Sequence, residues 1–243
     1  MIISPTHNFI FFKPMKCAGS SIEYSLLQAC EKTALCTGGT PEEIAEGYKP
    51  QNNGFAEDGE EKYKFHPHTW PSLFLERTTS AHQWKDYKKI SVVRNPWDTV
   101  VSWYWWAMAA SPASQFVIRH DDDKLTTQWK FETFLNLVCR HNSVRPEIEK
   151  VNCTPLDYVS QTNELFIDGN MSDYIKFESL DVDYSEICHQ LKLEKYPLCR
   201  FKSVQRKIKR HYSHYYNTST RNAVVLRFPK TIEKFNYHFE EEN

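Results

Sequence analysis

Asn8-Phe9-Ile10-Phe11-Phe12-Lys13-Pro14-Met15-Lys16-Cys17-Ala18-Gly19-Ser20-Ser21-Ile22 opens as a short apolar strand and closes as the start of a helix-like stretch that runs to Cys30. A strand, a turn of small residues and a helix together form an anion grip. Successive backbone N–H groups and the positive end of the helix dipole converge on one point. A lysine beside the turn and two hydroxyls at the helix start suit phosphate or sulfate. The order of residues separates this loop from the Walker A pattern, in which Lys follows the last Gly. Here Lys16 precedes Gly19, Ser20 follows it, and Pro14 stands where that pattern needs its first glycine.

Two more segments read as strands, Ile90–Arg94 and Tyr174–Phe177. The continuous apolar run Ile90-Ser91-Val92-Val93 suits a strand buried on both faces of a parallel sheet. Helical patterns lie between and after the strands: Ile22–Cys30, Trp97–Ala110, Trp129–Cys139, Tyr184–Leu191 and Thr220–Phe235. Alternation of this kind predicts an α/β fold with a central, mainly parallel sheet flanked by helices and a P-loop-like phosphate grip. Ligands of such sheets sit beyond the carboxyl ends of the strands, where both Lys16 and Arg94 fall. The 243 residues are read as a single domain, 1–243. Five of the seven glycines lie between Thr37 and Lys64, with Pro41 and Pro50, so 37–64 reads as a surface insertion or lid.

Bulk composition excludes several classes of function. A formal net charge of −1 gives no reason to expect nucleic acid as a partner. Seven cysteines without a C-x-x-C pair argue a reducing, cytoplasmic setting. Met1–Phe12 has no basic stretch ahead of a long apolar one, so it reads as strand rather than signal peptide. The most apolar segment, Val100–Ala110, is too short to span a bilayer, and no membrane insertion is expected. Oligomeric state is not legible.

Arg94-Asn95-Pro96-Trp97-Asp98 marks a second strand-to-helix junction. Asn95 suits the N-cap, Pro96 the first helical position and Asp98 the first turn. Ser102 lies four residues past Asp98 on the same helix face. Arg94 and Ser102 together are candidates for a second phosphate clamp.

With both segments in view, the chain resembles the sulfotransferases that use 3′-phosphoadenylyl sulfate. Lys16-Cys17-Ala18-Gly19-Ser20-Ser21 is similar to their 5′-phosphosulfate loop, and Val92–Asp98 through Ser102-Trp103-Tyr104 to their 3′-phosphate segment. Asp173–Leu180 and His211–Tyr237 resemble later parts of the carbohydrate-type branch. Cys17 and Ser20 depart from that family's usual Thr. The resemblance implies transfer of a sulfuryl group to a hydroxyl or amine of a glycan or small molecule, leaving adenosine 3′,5′-bisphosphate, with no metal required. Residues 16–21, Arg94, Ser102 and Arg206 would hold the donor, and Lys16 would neutralise the leaving oxygen. His66 or His68 would take the acceptor's proton. Glu23 reads as a capping residue, with action on the acceptor as its alternative. Asp121-Asp122-Asp123 reads as a solvated run rather than a metal site. Trp103-Tyr104-Trp105-Trp106 points all round a helix, and so mostly into core. A phosphate-loop nucleotide kinase and a non-catalytic nucleotide-binding protein are the competing readings.

Overall fold

Two apolar segments at the head of the chain pair with each other: β1 (Ile2–Ser4) runs antiparallel to β2 (Phe9–Phe11). The structure, a computed structural model, describes residues 1–36, 68–77, 84–110, 124–136, 155–167, 170–201 and 210–242. After β2 come α1 (Gly19–Ala29), β3 (Leu35–Cys36), α2 (Pro71–Arg77), β4 (Lys88–Val93) and α3 (Pro96–Ala110). Next are α4 (Lys124–Asn136), α5 (Pro155–Glu164), β5 (Asp173–Lys176), α6 (Leu180–Gln190), α7 (Thr218–Arg227) and α8 (Pro229–Phe235). The chain divides into two compact units, Met1–Arg94 with Leu165–Lys202, and Asn95–Glu164 with Ser203–Asn243.

The first unit holds a five-stranded sheet in the order β3-β1-β2-β4-β5. Its centre is parallel: β2 pairs with β4 and β4 with β5, whereas β1 and β3 join antiparallel. The expected parallel centre with flanking helices is present, and the two antiparallel strands at one side make the sheet mixed. β1 falls within the Met1–Phe12 stretch read as strand and is three residues long, whereas β3, which the sequence did not signal, has only two.

Alternation along the strands feeds two separate cores. Ile2, Phe9, Phe11, Ile90, Val92 and Ile175 pack with Ile22, Leu26 and Leu27 of α1 and with Tyr184, Ile187 and Cys188 of α6. Ile3, Ile10 and Phe12 face the other way, onto Phe74 of α2 and onto Trp70, Trp84 and Phe166. Each of these large side chains contributes about 1.5–3 kcal/mol by leaving water. Helices on both faces explain why the strands read as unbroken apolar runs.

The second unit is helical and aromatic. Trp103, Tyr104 and Trp105 of α3 are buried, as their all-round placement predicts, and Trp106 stacks on Trp103 with centroids 4.7 Å apart. Tyr104 meets Phe131 and Phe134 of α4 edge-on, and Trp105 Nε1 donates to Tyr215 Oη over 2.9 Å. The carboxylate of Glu164 accepts from the backbone N–H groups of Lys230 and Thr231, an anion at the start of α8.

Asn95 caps α3 as its sequence position predicts: Oδ1 accepts from the N–H of Trp97 over 3.0 Å. Its Nδ2 lies 3.4 Å from both Tyr212 Oη and the His238 carbonyl, which ties down the carboxyl-terminal tail. Asn95 is buried, so removing its amide orphans groups at both ends. Asn95→Ala is expected to lower unfolding free energy by about 1–2 kcal/mol. A fall in the urea midpoint with an unchanged slope checks this; no shift would mean that the cap carries no weight.

Candidate functional site

The loop from β2 to α1 is fixed first at its strand end. The N–H of Phe12 donates to the Ile90 carbonyl over 2.8 Å, and Ser91 Oγ donates to the Phe12 carbonyl over 3.1 Å. Two left-handed residues then reverse the chain within three positions, Lys16 at φ 61° and Ala18 at φ 59°. Neither is glycine, so each costs roughly 1–2 kcal/mol of backbone strain. Left-handed residues in a turn of this kind can present backbone N–H groups to an anion, while the N–H groups of Ser21 and Ile22 donate to the Ala18 carbonyl. Ala18 occupies the cap position of α1 and has no side-chain oxygen to offer the first turn, which also lacks an acidic residue. That arrangement favours an external anion there.

Beneath the loop lies a buried ion pair. Lys13 Nζ sits 2.6 Å from Glu23 Oε2, with both side chains shielded from water. The other carboxylate oxygen of Glu23 accepts from the amino group of Met1. Burial pushes the Glu23 carboxyl up, but Lys13 and the Met1 amino group outweigh burial and hold it below its ordinary value. Glu23 therefore does not cap α1, and it is closed off from any acceptor: both readings of this residue from sequence are corrected. The aliphatic stem of Lys13 passes directly under Gly19, where a Cβ would fall 2.3 Å from Lys13 Cγ. Position 19 is glycine because no side chain fits over that stem.

Arg94 fastens the loop from the side. Its Nη1 donates to the Lys16 carbonyl over 2.8 Å, and its guanidinium lies 3.9 Å from the centroid of the Phe177 ring. The ring belongs to a short turn directly after β5, so the ends of β4 and β5 together hold the loop in place.

His68 completes the constellation. Its Nδ1 lies 2.7 Å from the Lys13 carbonyl. A carbonyl only accepts, so Nδ1 carries the hydrogen and the lone pair of the neutral ring sits on Nε2. Lys13 and Lys16 are three residues apart, at most about 11 Å of chain. A histidine with its tautomer set thus stands against the first residue after β2, close to the turn that leads into α1.

The other residues singled out from sequence are distributed as follows. Cys17 is buried and its Sγ donates to the Met15 carbonyl. Ser20 is half-buried, and Ser21 Oγ accepts from the Phe201 N–H over 3.4 Å. Ser102 is half-buried in the second turn of α3, in the other unit. His66, Arg206, Asp121–Asp123 and the 37–64 segment lie outside the described residues. Sequence reasoning missed Lys13 and Phe177. A charged residue ending a fully apolar strand was the available signal for Lys13.

A family model described as the sulfotransferase family matches residues 1–238. The chain belongs to the sulfotransferase family. No curated protein and no solved structure matches it. Membership makes sulfuryl transfer the general chemistry of this sulfotransferase. Among the described residues of the sulfotransferase no helix is long and apolar enough to cross a membrane.

The Glu23 pair makes stability depend on acid. Its carboxyl is held below the ordinary 4.5, so the pair's contribution is complete above that pH and is lost as pH falls through the lower folded value. Glu23→Gln is expected to be less stable than wild type at neutral pH, with the gap narrowing below about pH 4.5. Urea midpoints measured from pH 7 to pH 3 check this, and a constant gap across the range would contradict it.

Proposed function

We propose that this sulfotransferase moves a sulfuryl group from 3′-phosphoadenylyl sulfate to a hydroxyl or amine of a glycan or small-molecule acceptor. Bound donor supplies an activated sulfur whose bond to the bridging phosphate oxygen breaks as the acceptor oxygen or nitrogen bonds to it. Every other part of the reaction falls to this chain. Backbone N–H groups of residues 17–20, with the Ser20 and Ser21 hydroxyls, hold the 5′-phosphate, and the Lys16 ammonium neutralises charge growing on the leaving oxygen; the N–H of Ser21 is spent on the Ala18 carbonyl. His68 Nε2 takes the proton from the acceptor, and adenosine 3′,5′-bisphosphate departs with the bonding electron pair. Arg94 and Ser102 are assigned to the 3′-phosphate on the strength of their sequence motif, and Arg206 likewise to closure over the nucleotide.

The observation that carries this reading is the His68 Nδ1 contact with the Lys13 carbonyl. It leaves Nε2 as the basic atom of the neutral ring, within a few residues of the loop that Lys16 belongs to. Between the two candidate bases, it favours His68 over His66. Arg94 directs one of its five N–H donors to Lys16, which keeps its positive charge beside the loop.

Calorimetry tests the donor. Adenosine 3′,5′-bisphosphate is expected to bind at least tenfold more tightly than AMP or ATP, and equal affinities would remove the 3′-phosphate assignment. In a transfer assay with labelled donor, Lys16→Ala is expected to cost about 10²–10³ in turnover while leaving thermal unfolding unchanged. A chelator is expected to leave the rate as it was; a kinase working through magnesium would stop.

A further inference from the structure

We infer that Lys13 is a positioning residue that couples the donor loop to the base, its side chain bracing the start of α1 while its carbonyl orients His68. The inference rests on the reading of residues 16–21 as the donor loop and of His68 as the base, and it assigns Lys13 no contact with either substrate.

Withdrawing an ammonium and a carboxylate from water costs several kcal/mol per ion, and well-packed apolar residues commonly match such a pair in stability. A simple fold at this point would have used a leucine and an alanine. What the pair supplies is direction. Lys13 directly follows Phe12, whose N–H makes a bond from this strand to β4, and its ammonium reaches a carboxylate one turn into α1, 2.6 Å away. Between those two points lies the whole bend, including the left-handed Lys16 and Ala18. The side chain thus spans the loop from below, from strand end to helix, and touches Gly19 on the way.

The same residue meets His68 through its backbone. A carbonyl orients an imidazole only as well as its own peptide is held. Here the peptide is held by the pairing of Phe12 with Ile90 on one side and by the buried ammonium on the other. Rotation of the Lys13 peptide would move the loop and release the histidine in one step. Base and donor cradle therefore share one anchor.

Lys13→Met tests this on the full-length protein. Methionine keeps the unbranched stem under Gly19, and Glu23 retains its contact with the Met1 amino group, so the variant removes direction with little loss of volume. Nitrogen-15 spectra of the imidazoles, with the His68 signals assigned by their loss in His68→Asn, are expected to show wild-type His68 protonated at Nδ1 and the variant as a mixture of tautomers. Affinity for adenosine 3′,5′-bisphosphate is expected to fall about tenfold and turnover about 10- to 100-fold, the scale set by ångström-level misplacement. A folded Lys13→Met protein with an unchanged His68 tautomer and wild-type bisphosphate affinity would overturn the inference. Should that variant not fold, Glu23→Gln replaces it, and the same two measurements decide in the same way. If wild-type protein does not bind the bisphosphate, the donor reading falls, while the tautomer measurement still decides whether Lys13 orients His68.

Discussion

The parallel pairing of β2 with β4 is the constraint on which the remaining architecture rests. Its register sets Phe9 opposite Lys88, Ile10 opposite Lys89 and Phe11 opposite Ile90. Slipping it by one residue would turn Phe9 and Phe11 out of one core and Ile10 out of the other. With that register in place, both strands end at the same sheet edge. The loop after Phe12 and the guanidinium of Arg94 then become neighbours without further guidance, and the hydrogen bond from Arg94 to the Lys16 carbonyl follows from strand alignment.

That edge combines strain with restraint. Two non-glycine residues in left-handed conformation would relax in an isolated peptide. They persist here because Arg94 draws on one side of the bend and α1 begins immediately on the other. A loop restrained in one shape has less ordering entropy to lose in any binding event. Phe177 adds to the same restraint, since an aromatic face under Arg94 limits where the guanidinium can swing.

Much of this was legible in the chain. The strand–turn–helix at Phe9 to Ala29, the capped junction at Asn95 and the inward aromatic run on α3 are local patterns, decided by residues within one or two turns of each other. The Lys13–Glu23 pair was not, because its partners meet only after strand and helix have docked, and nothing in a ten-residue spacing announces that. The long helix expected over Thr220–Phe235 is two helices, α7 and α8. Pro229 cannot donate to a helix running through it, and it serves instead as the first residue of the second. α5 carried too few apolar residues to show a period. Its last residue, Glu164, proves to be the acceptor for the first N–H groups of α8.

The loop's inward-facing thiol bears on how the protein tolerates chemical insult. Cysteines beside anion-binding turns elsewhere become thiolates, drawn down by positive potential and open to peroxide or alkylating agents. Cys17 is placed otherwise: its sulfur points inward among the apolar side chains around α1, donating to a carbonyl of its own loop. Electrophiles reaching the cradle meet main chain first. Burial thereby shields the Cys17 thiol from oxidants and alkylating agents in the solvent.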